Sequence, residues 1–133
     1  MDVEWLRTCC LSHRGAYEDF PFGPDTAVYR VRSPRAGDEG TAGRIFALVG
    51  FDAEPLSISL KCDPALAVQL RAAHPEITGA WHLNKKHWNG VRLDGGLPEQ
   101  TVRDLIEDSY DLVVASLPKS LRDGLGWCPG IPS

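Results

Sequence analysis

The chain has 133 residues, 43% of them hydrophobic and 24% charged, with a formal net charge of −4. That length and composition fit one globular domain, able to bury a core without metal or disulfide staples. The acidic balance argues against coating nucleic acid through bulk charge, which leaves a basic footprint, and leaves room only for a local basic patch.

The N-terminus, MDVEWLRTCCLSHRG, places two acids within four residues and lacks the apolar run of a targeting peptide. No stretch approaches the ~20 apolar residues that cross a bilayer, so no membrane partner is expected. Cys9, Cys10, Cys62 and Cys128 show no CxxC spacing. Without an export signal they are expected as reduced thiols of a cytoplasmic protein.

Residues 2–11 read as a helix, capped by Asp2, with Val3, Leu6 and Cys10 at helical spacing and Trp5 beside them. Gly15 and the run Phe20-Pro21-Phe22-Gly23-Pro24-Asp25 break regular structure. Its two aromatics are expected to plug a core edge.

Three strands are expected next. Residues 26–32 alternate, residues 44–49 are almost continuously apolar, and residues 56–61 alternate with Leu56, Ile58 and Leu60 on one face. A long Gly-rich connection (33–43) reads as a mobile hairpin loop or a wing, and Asp52-Ala53-Glu54-Pro55 as a tight turn.

Asp63-Pro64 starts a second helix, with Leu66, Leu70 and Ala73 along one face, and His74-Pro75 ends it. The run WHLNKKHWNGVRLDGGLP (81–98) then reads as strand, irregular corner, strand, the last strand covering 88–93 with Trp88, Val91 and Leu93 as its apolar members. Trp88 is expected in the core on account of its size. Pro98-Glu99 opens the longest helix, to about Ser116, striped by Val102, Leu105, Ile106, Ser109 and Val113. Leu117-Pro118 breaks it before a short helix ending near Gly124. The single domain is expected over 1–124, followed by a flexible tail, 125–133. Strands in sequence joined by short turns imply an α+β fold, an antiparallel sheet with helices packed on one face.

Of the candidate sites, a metal centre is disfavoured. His82 and His87 are five apart, on opposite faces of a strand, with no zinc-like partner beside them. No nucleophile elbow, phosphate loop or dinucleotide fingerprint occurs, so neither an enzyme nor a cofactor is expected. Glu99, Asp104, Glu107, Asp108 and Asp111 form an acidic ridge on the long helix, whose default is a solvated face. In the polar run, Lys85, Lys86 and Arg92 can meet phosphates, Asn84, His82 and His87 can hydrogen-bond, and Trp81 or Trp88 can stack on a base. The same residues can equally form a polar rim that fixes a sheet corner.

HLNKKHWNGVRLDGGLP followed by LIEDSYDLVVASLPK, with EDFPFG, RIFALV and LSISLKCDP upstream, closely resembles the MmcQ/YjbR family over roughly residues 2–123. Departures are the long first hairpin loop, Arg44 where lysine is common, and the Trp127-Cys128 tail. The resemblance implies a CyaY-like α+β fold and DNA binding through two hairpin wings. On this chain the wings are the hairpin with Arg30, Arg32, Arg35 and Arg44, and the region from Asn84 to Arg92. A non-enzymatic, monomeric DNA-binding protein is the first expectation. A protein- or small-molecule-interaction module, with the motif structural, is the second.

Overall fold

A computed structural model of the chain describes residues 1–33, 43–80 and 83–126. These form helices α1 (Val3–Leu11), α2 (Pro64–Ala73), α3 (Glu99–Ala115) and α4 (Lys119–Gly124). The strands are β1 (Ala16–Asp19), β2 (Thr26–Val31), β3 (Arg44–Gly50), β4 (Ser57–Lys61), β5 (Ile77–Gly79) and β6 (Trp88–Arg92). They build one antiparallel sheet in the order β1-β2-β3-β4-β6-β5. Helices pack on one face of it, so the expected α+β architecture is what the chain adopts.

Helix starts follow the chemistry of their caps. Asp2 accepts the Trp5 amide at 2.8 Å. Asp63 accepts the amides of Ala65 and Leu66, both at 3.2 Å, just ahead of Pro64. Each carboxylate satisfies donors that the first helical turn leaves orphaned.

Strand parity sorts side chains between the two faces. Val49, Ile58, Val91 and Ile77 lie in register on the helix side, as do Ala47, Leu60 and Asn89. At β3 the pairing passes from Tyr29↔Ala47 to Arg30↔Ile45, which leaves Phe46 as an extra, bulged residue. The bulge turns Phe46 onto Tyr110, ring to ring at 5.5 Å. It also ends the β3–β4 ladder, and Ser109 of α3 fills the break. Its hydroxyl donates to the Phe46 carbonyl at 2.6 Å and accepts the Lys61 amide at 2.9 Å. At the other end of the sheet Arg7 of α1 reaches Glu18 of β1 through Nε at 2.8 Å, and Tyr29 donates to the same carboxylate at 2.9 Å.

Several sequence expectations need correction. Residues 16–19, between the two expected breaks and given no element in the sequence reading, form a strand paired with β2. Phe20 and Phe22 are 41% and 68% exposed rather than plugging the core. On α2 the buried residue is Ala67, with Leu66 exposed, so the stripe is rotated from the one expected. The strand before the corner is Ile77–Gly79, upstream of the run it was placed in. Leu125 is buried in the core, so the ordered fold runs past the expected boundary at 124. The tail from 127 and the hairpin connection 34–42 lie outside the described residues.

This packing makes Ser109 and His13 the residues to probe. Ser109→Ala leaves a buried amide and carbonyl without their bridge and is expected to cost about 1–3 kcal/mol in urea denaturation; an unchanged midpoint would contradict the bridging role. His13 stacks on Tyr110 at 4.7 Å, and burial holds its imidazole below the ordinary value, against the pull of Glu107 and Asp111. The unfolded chain therefore takes up the proton first, near pH ~6.5. The stability that neutral His13 contributes is present above that pH and is lost as pH falls towards its lower folded value. His13→Phe keeps the stack and is expected to flatten that part of the stability–pH curve, read by thermal melts between pH 5 and 8.

Candidate nucleic-acid interface

The corner between β5 and β6 is built by its own polar atoms. Asn84 Oδ1 accepts the Lys86 amide at 3.0 Å, and the Asn84 carbonyl accepts the amides of His87 and Trp88 at 3.0 and 2.9 Å. An Asx turn of this kind folds the chain back without help from distant residues. Two clamps fix the corner to the body. The Cys62 amide donates to the His87 carbonyl at 2.7 Å, and Arg71 of α2 donates to the Lys85 carbonyl at 3.0 Å. Gly79 makes room for the second clamp, since a Cβ there would sit 2.9 Å from Lys85 Cγ and 3.0 Å from Arg71 Nη1. Lys85 and Lys86 stand exposed, and no ion pair among the described residues includes either.

Strand β6 then sends alternate residues to opposite faces. Trp88, in register with Lys61, and Arg92, in register with Ser57, point to the open face. Trp88 is half-buried there and outside the core cluster, which corrects the expectation that it fills the core. Four residues of strand separate Trp88 from Arg92, about 13 Å. Arg92 instead approaches Asp94, Nε to carboxylate at 3.6 Å. Lys85 and Lys86 therefore share one end of the sheet, and Arg92 sits at the other.

The wing arginines divide as well. Arg30, 15% exposed, pairs with Asp19 at 3.0 Å and donates to the Gly43 carbonyl at 2.9 Å, so its guanidinium is occupied within the fold. Arg44 turns to the helix side and donates to Ser116 Oγ at 3.0 Å. Arg32 is half-buried, with Nη2 enclosed and lacking a hydrogen-bond partner among the described residues. Arg35 and His82, like Trp81, lie outside the described residues. His87 is half-buried, and its backbone serves the corner. The topology nonetheless brings the two hairpins to one end. β2, β4 and β5 run the same way, so the β2–β3 connection and the β5–β6 corner leave the same edge, about three strand spacings or 14 Å apart.

One polar residue of the motif went unread in the sequence. Asn89 is 3% exposed on the helix side, with neither Oδ1 nor Nδ2 hydrogen-bonded among the described residues. Strict alternation from Val91 and Leu93 places it inward. Among the described residues no group of three or more His, Cys, Asp or Glu side chains could hold a metal ion. No described helix is long and apolar enough to cross a membrane.

Residues 11–112 match the family model YjbR. The chain is 40% identical over 78 residues to the uncharacterized protein YjbR of Escherichia coli K12, a match covering 59% of this chain and 66% of that protein, just under two thirds of its length. It is 35% identical over 100 residues to the uncharacterized protein YbdF of Escherichia coli O157:H7, covering 75% of this chain and 74% of that one. Among solved structures, Deinococcus radiodurans protein DR2400, with a DUF419 domain, superposes with a TM-score of 0.85 at 37% identity, over 98% of this chain and 91% of that one. A Pseudomonas syringae protein gives 0.67 at 29% identity, over 85% and 99%.

The corner geometry makes Asn84 a structural residue first. Asn84→Ala is expected to cost about 0.5–1.5 kcal/mol in thermal or urea denaturation, whereas Asn84→Asp, which keeps the acceptor, loses little. Equal losses in the two variants would contradict the Asx-turn role.

Proposed function

The chain belongs to the YjbR family, and from that premise we propose that it is a cytoplasmic, non-enzymatic DNA-binding protein that meets nucleic acid with one end of its sheet. The observation that carries the reading is the pair Lys85 and Lys86, exposed on a clamped corner with no carboxylate partner among the described residues. Lysines on such a corner act as point charges for phosphates, their backbone already fixed in place. Lys61 and the Trp88 indole stand next to them on the open face, a cation and a stacking surface side by side.

Charge segregation reconciles this surface with the net −4 of the chain. Asp63, Asp108 and Asp111 border a groove between α2 and α3, on the helix-covered side of the sheet. The open face is spared that cluster. Contact through phosphates positions a protein without reading sequence, so binding is expected to be salt-sensitive and weakly selective.

The separation of Arg92 from the lysines supplies the test. In fluorescence-anisotropy titrations of a DNA oligonucleotide across a salt series, Lys85→Ala with Lys86→Ala is expected to reduce the log–log salt slope by about two. Arg92→Ala is expected to leave it unchanged. No binding at low salt, or a loss with Arg92→Ala equal to that of the lysine pair, would overturn the proposal.

A further inference from the structure

Asn89 carries a consequence independent of DNA binding. A buried carboxamide with both its donor and its acceptor unpaired is costly, and native interiors nearly always satisfy such groups. Asn89 lines a small cavity under the sheet, walled by Val91, by Leu70 of α2 and by Leu105 of α3. The space beside it is about 10 Å³, the room of one water molecule or one hydroxyl group.

The cavity is not isolated. Cys62 and Asp108 line it and also line the groove between α2 and α3, whose volume is about 390 Å³. Leu66, Leu112 and Ala115 make that groove largely apolar. Its size falls within the usual range for small-molecule sites, which combine apolar walls with a few convergent polar groups. Leu70 and Leu105 are half-buried between the helices and the cavity, long side chains able to change rotamer.

We propose that the Asn89 carboxamide anchors a site for a small uncharged amphiphile, its aliphatic body in the α2–α3 groove and its single hydroxyl in the cavity. A hydroxyl donates to Oδ1 and accepts from Nδ2, which satisfies both orphaned atoms at once. The rim selects against anions. Asp63, Asp108 and Asp111 surround the groove, and burial, with Asp111, Asp104 and Glu107 nearby, already holds the Asp108 carboxyl above its usual range. A carboxylate head would add a further negative charge beside these acids and would lose its hydration on entering the cavity.

The test compares 1-hexanol with hexanoate, which share a chain and differ in head charge. Titrated into the intact protein and followed by proton–nitrogen NMR, 1-hexanol is expected to shift both Asn89 side-chain amide resonances saturably. Hexanoate is expected to bind at least tenfold more weakly. Asn89→Leu, close in volume, is expected to weaken 1-hexanol about tenfold while leaving the ligand-free melting temperature equal or higher. The wild-type amide resonances still report binding at Asn89 if that variant fails to fold. Resonances that stay fixed at saturating alcohol, equal binding of hexanoate, or undiminished binding by Asn89→Leu would each overturn the proposal.

Discussion

One hydroxyl holds the fold's two layers in register. Ser109, fully buried in α3, bridges the Phe46 carbonyl of β3 and the Lys61 amide of β4 where the ladder between those strands stops. A helix side chain thus takes the place of a strand-to-strand hydrogen bond. Buried backbone groups must find partners, so the break is tolerable only with α3 seated at this height over the sheet. Beyond the break β4 keeps its register with β6, and the Cys62 amide donates to the His87 carbonyl, fixing the corner that displays Lys85 and Lys86. Ser109, on the Lys61 amide, sits one residue before that clamp.

The period of two along β6 explains why one short motif yields two different surfaces. Its residues Trp88 and Arg92 face outward, and Asn89 and Val91 face the helices. The outward set joins the lysine corner at one end and is internally paired at the other. The inward set brings a carboxamide into an apolar layer where no described residue answers it. A single strand thereby presents Trp88 and Arg92 on one face of the sheet and lines a small cavity with Asn89 on the other.

Much of this architecture was legible in the sequence. Capping by Asp2 and Asp63 and the apolar stripe of α3, Ser109 included, located three helices to within a residue or two. The strands β2, β3 and β4 were equally plain from their apolar patterns. What escaped had physical reasons. β1 is a short edge strand carrying a charged side chain that the fold pairs, Glu18 neutralised by Arg7, and composition gives no apolar signal for it. β5 is three residues long. For Trp88, side-chain size outweighed parity in the sequence, although Val91 and Leu93 already fixed the phase that turns Trp88 out and Asn89 in. The scatter of the basic candidates could not be read either, because whether Arg30 finds Asp19 and Arg44 finds Ser116 depends on neighbours across the fold.

If nucleic acid meets the sheet end bearing the β5–β6 corner, its footprint on the protein backbone is narrow and one-sided. Chemical-shift mapping with a short DNA duplex at low salt reads that footprint residue by residue. Perturbations are expected to concentrate at Lys61, Lys85, Lys86, His87 and Trp88, with Arg92, Asp94 and the acidic face of α3 unaffected. Shifts centred on α3 or on the Arg92 end of β6, or none at all, would refute a contact through the lysine corner.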